Sequence, residues 1–416
     1  MKSRRILAWF RNDLRLHDNE MLVEAIAKSD SILPVYFFDP RYFEVTKFDT
    51  FKTGVHRAMF LIESVRALRE AFQRFGGDIL LILGKPEDHI LALSERFEIT
   101  EVYHHREVGP EETAISSYVE DELWKQKINL RHFIGHTLYN KEDLPFPIKD
   151  IPDVFAQFKK KTERDAIVKA CFEVPVEISF VENTDWGAIP ELKDLGFEED
   201  HGGSGEVAGG ENAGLRHLEG LLAEGSRIYQ KTNGKTADKQ GFSSRLSAWL
   251  ALGCLSPRKV YWEFKMAESR FGGNANFNQV LLGLLWRDYY RFMFKKHGIG
   301  FFQEPDLESL IALPQTEDSY NIRKWKAGQT GNVLVDKYMD ELNRTGFIPH
   351  AGRLIVATFL VHVIKAHWTK GAVYFEEKLT DYSPASNWGN WANLAGVGLG
   401  SGSKGVFDLD KQMKML

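Results

Sequence analysis

Five short apolar runs, separated by stretches of helical periodicity, occupy the first third of the chain and limit most strongly what it can fold into. Residues 6–10, 32–37, 78–83, 101–105 and 129–133 have the length and composition of strands. Between the second and third runs, Leu61, Val65, Leu68 and Phe72 recur at the spacing of one helix face, and Pro86 and Pro110 each stand where a proline opens a helix. This β-α-β-α rhythm predicts an α/β, Rossmann-like domain: a parallel sheet covered on both faces, with ligands at the carboxyl ends of its strands. No Gly-x-Gly-x-x-Gly follows the first run, which argues against an ordinary nicotinamide-cofactor fold.

Past residue 136 the pattern changes. Leu144-Pro-Phe-Pro147 and Ile151-Pro-Asp153 read as extended and turn-rich, and residues 198–211 are glycine-rich and acidic, the composition of a solvated loop. From Asn212 onward the periodicity is helical. Leu215, Leu218 and Leu222 fit one helix, Val280, Leu284 and the aromatic run to Phe292 another, and residues 354–363 a third. The expected organisation is an α/β domain over 1–136, a connector over 137–211 and an all-α domain over 212–416. At 416 residues the chain is long enough for two cores.

Bulk properties narrow the function classes. A net charge of −5 gives no global attraction to nucleic acid, so any DNA contact needs a local basic face. Two cysteines, Cys171 and Cys254, are too few for a disulfide framework or a cysteine-rich metal site, and no metal is expected. No apolar run is long enough to span a bilayer, and the first strand begins close to Met1, leaving no room for a signal or transit peptide. A monomer in the cytoplasm, without membrane contact, is the expectation. Ten tryptophans and 29 phenylalanines raise the question whether some rings carry electrons as well as pack.

Three clusters in the helical half are more polar than a plain core. Gly241-Phe-Ser-Ser-Arg-Leu-Ser247 offers hydroxyls at Ser243, Ser244 and Ser247 at a helix start, either a diphosphate cradle or a simple serine cap. Leu284-Leu-Trp-Arg-Asp-Tyr-Tyr-Arg291 places Arg287 in an aromatic helix, where its guanidinium must find an anion or a carbonyl. The third runs from Thr345-Gly-Phe through Arg353 and Trp368 to Asp381-Tyr-Ser-Pro-Ala-Ser-Asn-Trp-Gly-Asn-Trp391. Its last part reads as a tight loop that presents Asn387 to a ligand before a helix resumes.

Trp9-Phe-Arg-Asn-Asp-Leu-Arg-Leu-His-Asp-Asn19 resembles the opening motif of the photolyase/cryptochrome family. Lys52-Thr-Gly54, Gly84-Lys-Pro-Glu-Asp88, Thr137-Leu-Tyr139, Asp143-Leu-Pro-Phe146 and Leu250-Ala-Leu-Gly-Cys-Leu-Ser-Pro-Arg258 resemble its DASH branch, collinear over nearly the whole chain. The resemblance implies FAD in the helical domain, blue-light absorption and electron transfer. By position, Tyr229, Ser243, Ser244, Arg245, Leu246 and Ser247 match the part that holds the FAD diphosphate and adenosine, and Arg287 an arginine that reaches the cofactor. Arg353 and Asp381 match an ion pair beside the isoalloxazine, with Tyr382 and Ser383 next in the same loop. Asn387 matches the residue facing flavin N5. Trp391 and Trp368 match the proximal and middle members of a tryptophan relay. Glu107 resembles the carboxylate that DASH proteins turn toward a 5,10-methenyltetrahydrofolate antenna.

The departures from the family pattern concentrate on the substrate side. Gly283 stands where a glutamate hydrogen-bonds damaged pyrimidines, and His350 with Ala351 replaces an Asn-Arg pair. Ser383 replaces the second acid of an Asp-x-Asp loop. The stretch 314–320 is short where a surface tryptophan belongs, leaving Tyr320 or Trp325 as substitutes, and the chain stops at Leu416, soon after Phe407 and Gln412. The reading is therefore a DASH-type, photoreducible flavoprotein with a signalling partner, or with weak binding to single-stranded or damaged DNA. The alternative is a cyclobutane pyrimidine dimer photolyase in which Trp286 stacks on a flipped base and His350 supplies a proton.

Overall fold

A computed structural model describes residues 3–198, 207–229, 242–304 and 318–400 of the chain. Gly241 of the serine motif, residues 314–317 and the stretch containing Phe407 and Gln412 lie outside the described residues, as does most of the glycine-rich run after Glu198.

The five strands form as expected: β1 (Arg5–Phe10), β2 (Ser31–Phe38), β3 (Leu80–Leu83), β4 (Glu101–His105) and β5 (Asn129–Phe133). β3 starts two residues later than its apolar run suggests, at Leu80. All pairings are parallel, in the order β3-β2-β1-β4-β5, with Ile6 beside Ile32 and Leu7 beside Val102. The crossovers are α1 (Glu20–Lys28), α2 (Val55–Gln73), α3 (Pro86–Arg96) and α4 (Pro110–Lys125), the last two opened by their prolines. Successive strand residues face opposite sides. Leu7 and Trp9 pack with Ile90, Val119 and Leu123 on one face; Ile6, Ala8 and Phe10 face the other, whose core continues into the helical half.

The segment between the two halves is packed rather than loose. It carries α5 (Phe155–Asp165), whose Phe158 is fully buried, and short 3-10 turns. Glu211, expected at the end of a loop, instead opens α6 (Glu211–Leu222). Its carboxylate accepts from the amides of Leu16 (2.9 Å) and His17 (3.0 Å). The rest is helical: α7 (Ser247–Ala251), α8 (Pro257–Phe271), α9 (Ala275–His297), α10 (Tyr320–Lys326), α11 (Val333–Thr345), α12 (His350–Thr358, continued by a π-helical turn to Val363), α13 (Trp368–Lys378) and α14 (Pro384–Ala395).

The opening motif serves as the fastener between the halves. Arg15, fully buried, donates to the carbonyls of His17, Asp18, Gly135 (2.8 Å) and Gly253 (2.8 Å). Asp18 takes a bidentate contact from Arg258 of α8 (2.6 and 3.0 Å). Three buried charges are thus paired or hydrogen-bonded, the condition for tolerating them in a core. At the rim of β1, Gly253 has φ +66, and a Cβ there would fall 1.8 Å from the carbonyl oxygen of Asn12, so only glycine lets the halves close.

Candidate functional site

Helix α11 ends at Thr345, and the chain reverses through Gly346 in the left-handed region (φ 70). The Gly346 carbonyl accepts from the amide of Thr380 (2.9 Å), which brings the loop before α14 against the start of α12. That juxtaposition makes the ion pair: Arg353 donates to Asp381 Oδ2 at 2.7 Å, and its Nε donates to the Ile348 carbonyl at 3.0 Å. Asp381 Oδ1 is buried without a hydrogen-bond partner. An acceptor of that kind is costly unless something donates to it. Arg353 and Arg245 both lie over the ring of Phe347, at 5.5 and 5.0 Å. Beside them is a cavity lined by Arg245, Ala248, Thr345, Phe347 and Thr380, closed by His56 and Phe60 of α2.

The loop expected to present Asn387 is shorter than its sequence suggests. Ser383 occupies the cap position and Pro384 the first turn of α14, so Asn387 and Trp391 sit on a helix, one turn apart. Asn387 is buried and donates to the Ala372 carbonyl of α13 at 2.9 Å. Trp391 is buried edge-on against Phe375 (5.1 Å) and lies so close to α13 that a Cβ on Gly371 would fall 2.1 Å from the indole. Gly371 is one helical turn beyond Trp368, so the two expected relay members meet the same helix on adjacent turns.

Sequence reasoning missed one ring. Trp388 packs edge-on against Trp368 at 5.7 Å and donates to the Tyr382 hydroxyl at 3.3 Å. Its signal was present, since position 388 lies within the aromatic stretch from Asp381 to Trp391, but ring-to-ring proximity is a tertiary fact. Tyr382 itself lies under Arg57 of α2 (4.7 Å), whose guanidinium donates to the Leu379 carbonyl at 3.1 Å.

The serine motif is not a capped helix start. α7 is five residues long, with Leu246 before it and no side-chain cap bond; the carbonyl of Ser244 accepts from His217 (2.8 Å). Ser243 is exposed, while Ser244 and Ser247 are half-buried. Tyr229 stands apart, donating to the Leu222 carbonyl (2.8 Å) and packing on Phe271 and Phe277. Arg287 finds carbonyls rather than an anion: those of His136 and, at 2.7 Å, Leu250 of α7. Burial, then the neighbouring Arg291, pulls its pKa down to about 9, while burial pushes the adjacent Asp288 up to about 8.

Among the residues expected to face a substrate, Gly283 is exposed on α9 and a Cβ there would meet nothing within 4 Å. Neither packing nor close approach accounts for the glycine. Trp286 is stacked on Phe155 of α5, ring centroids 3.5 Å apart. His350 and Ala351 open α12. Trp325 is fully buried, its indole donating to the Val356 carbonyl, whereas Tyr320 is largely exposed. At the sheet's switch point between β1 and β4, Glu107 is buried. It pairs with Arg291 (2.9 Å) and His136 (3.2 Å) and accepts from Asn12 (3.0 Å). Burial alone would raise its pKa, but His136 and Arg291 hold it well below the carboxylate range. Among the described residues, no cluster of three His, Cys, Asp or Glu is set to hold a metal, and no single helix is long and apolar enough to cross a membrane.

This is the architecture of a photolyase-type flavoprotein. The family models for DNA photolyase and for the FAD binding domain of DNA photolyase match residues 6–176 and 280–415. The chain belongs to the DASH branch of the photolyase/cryptochrome family. It is 40% identical to cryptochrome DASH of Gloeobacter violaceus, over 100% of this chain and 83% of that protein. Against cryptochrome DASH of Synechocystis the identity is 38%, over 98% and 84%. The crystal structure of a Synechocystis cryptochrome superposes with a TM-score of 0.88 at 37% identity, covering 100% of this chain and 87% of that one. A class III photolyase from Agrobacterium tumefaciens gives 0.83 at 24% identity, covering 100% and 84%, a likeness of fold alone.

Proposed function

We propose that this chain is a blue-light flavoprotein of cryptochrome DASH type, photoreduced through Trp391 and Trp368, and that light sensing or weak nucleic-acid binding is its output. The observation that carries this is the Arg353–Asp381 pair beside a cavity in the FAD-binding domain, with one carboxylate oxygen buried and unpartnered. The chemistry of the pair suits FAD: a ring N–H would satisfy Asp381 Oδ1, and Arg353 would place fixed positive charge beside the ring. When bound, the flavin supplies light absorption and a one-electron acceptor. Arg245 and the hydroxyls of Ser243, Ser244 and Ser247 are the groups proposed to meet its diphosphate, with Arg287 and Leu246 fixing α7 behind them and Tyr229 closing the adenosine side. Asn387, held to α13 through the Ala372 carbonyl, is the residue proposed to face the ring.

The division 1–136, 137–211 and 212–416 is proposed as the functional one, the first part accommodating an antenna. A methenyltetrahydrofolate there would meet Glu107, whose carboxylate already serves Arg291, His136 and Asn12. Dimer repair in single-stranded DNA is the second reading, supported by Trp286 and opposed by Gly283, His350 and Ala351. One absorbance spectrum, before and after blue light, tests the main proposal. A flavin band that bleaches under light is expected, with a second band if an antenna is bound. Failure to take up FAD on reconstitution would overturn it.

A further inference from the structure

Among the described residues, four of the five indole N–H groups with a side-chain or backbone acceptor meet neutral oxygens. Trp249 donates to Ala208, Trp262 to Lys169 and Trp325 to Val356, all backbone carbonyls, and Trp388 donates to a tyrosine hydroxyl. Trp368 differs. Its Nε1 donates to Glu304 Oε2 at 2.9 Å, and the other carboxylate oxygen is paired with His367 Nε2 at 2.7 Å. His367 Nδ1 is in turn bonded to Thr369 Oγ1 at 2.7 Å. The indole is buried, whereas the Glu304 and His367 side chains are 20% and 37% exposed, so the carboxylate bridges a buried ring to solvent. Phe302 (5.6 Å), Trp388 (5.7 Å) and His367 (5.9 Å) pack on the Trp368 ring, and the indole N–H itself meets only the Glu304 carboxylate.

We infer that Glu304 is the proton acceptor for Trp368 when that ring is oxidised, which ends the electron relay in a neutral indole radical rather than a cation. The inference rests on the relay role proposed for Trp368. Oxidation makes an indole N–H far more acidic than it is in the neutral ring, and a carboxylate already hydrogen-bonded to that proton needs no rearrangement to take it. Electrons and protons balance along the relay. With FAD bound, the light-excited cofactor would supply the electron acceptor, so Trp391 would give up one electron and regain one from Trp368. The Nε1–H bond of Trp368 then breaks, its electron pair stays on nitrogen, and the proton forms an O–H bond on Glu304 Oε2. The ring is left neutral with one unpaired electron, and the carboxylate becomes a carboxylic acid held by His367 at the surface. A neutral radical has no charge to draw the electron back, so separation lasts longer. His367 is a positioning residue here.

The test is Glu304→Gln, which keeps the shape and an oxygen for the indole to donate to. In the dark, without flavin, the indole N–H resonance absent from Trp368→Phe should shift in Glu304→Gln, reporting loss of the charged acceptor. After a blue flash on the FAD-loaded chain, transient absorption of the wild type should show a tryptophan radical cation converting to the neutral radical, more slowly in D2O. In Glu304→Gln that conversion should slow by about 10²-fold or more, the range for losing a positioned base. Conversion at the wild-type rate in Glu304→Gln would overturn the inference while leaving the relay standing. Radical signals unchanged in Trp368→Phe would instead overturn the relay, and the inference with it.

Discussion

Phe155 lies face to face on Trp286, ring centroids 3.5 Å apart and planes 11° from parallel. The contact joins the first residue of α5 to the middle of α9, and it covers one face of the indole proposed to stack on a flipped base. Phe155→Ala should expose that face. An oligothymidylate should then quench tryptophan fluorescence, with a Kd lower by roughly 5- to 150-fold, since one base stacked on an aromatic is worth about 1–3 kcal/mol. An unchanged Kd would show that bases do not reach Trp286.

The Asp381 carboxylate holds Arg353 through one oxygen, and its other oxygen is buried without a hydrogen-bond partner. Asp381→Ala should strip FAD from the purified protein and lower its stability by roughly 3 kcal/mol, the order expected for removing one partner of a largely buried pair. The flavin-to-protein absorbance ratio and urea unfolding measure the two effects separately. Full FAD occupancy in the variant would remove Asp381 from the site.

Trp391→Phe keeps an aromatic ring beside Phe375, gives up the indole atoms that lie against Gly371, and removes the electron donor proposed for the relay. FAD should still bind, and blue-light bleaching with an external reductant present should slow strongly. Bleaching at the wild-type rate would exclude Trp391 from the relay.

Gly283 has open space around it. Gly283→Glu should therefore fold without strain and gain roughly 0.5–1 kcal/mol of helix stability, because glycine is the poorest non-proline helix former. Dimer loss from an irradiated oligonucleotide under light, compared with the parent chain, reads whether a carboxylate there restores repair. A rise would favour the photolyase reading; no turnover in either protein would favour the photoreceptor.

His136 is buried beside Glu107, and burial takes its pKa from the ordinary 6.5 to about 4. The folded state then resists protonation while the unfolded state does not. Stability is full above about pH 6.5 and is lost as pH falls toward 4, by about 2 kcal/mol at pH 5. Thermal melts between pH 7.5 and 5 should show the loss. His136→Gln should flatten that part of the curve, and a parallel slope in the variant would place the sensitivity elsewhere.

Much of this molecule was legible in one dimension. Burial on both faces of a parallel sheet leaves apolar runs of fixed length, so all five strands and the helices opened by Pro86 and Pro110 could be read. The same local logic misplaced the segment after Asp381. A stretch rich in Asn, Trp and Gly reads as a loop, yet Pro384 starts a helix there because Gly371 and Gly389 let α13, α14 and the ring of Tyr290 pack closely. Propensity is weak, and packing overrides it. Arg15 and Asp18, read as part of a family motif, became intelligible only as the charges that fasten the halves.

The sequence by itself determined the α/β-then-helical order, because periodicity is a property of the chain alone, and its resemblance to a family pointed to the flavin and to the changed residues on the expected substrate side. Tertiary structure brings together the expected pair of Asp381 and Arg353, and it decided contacts that the sequence did not name: Arg287 with the Leu250 carbonyl, Phe155 on Trp286, and Glu304 under Trp368. These partners are 28 to 131 positions apart along the chain (381 − 353, 286 − 155). A hydrogen bond needs its atoms within about 3 Å, and only the fold brings them that close.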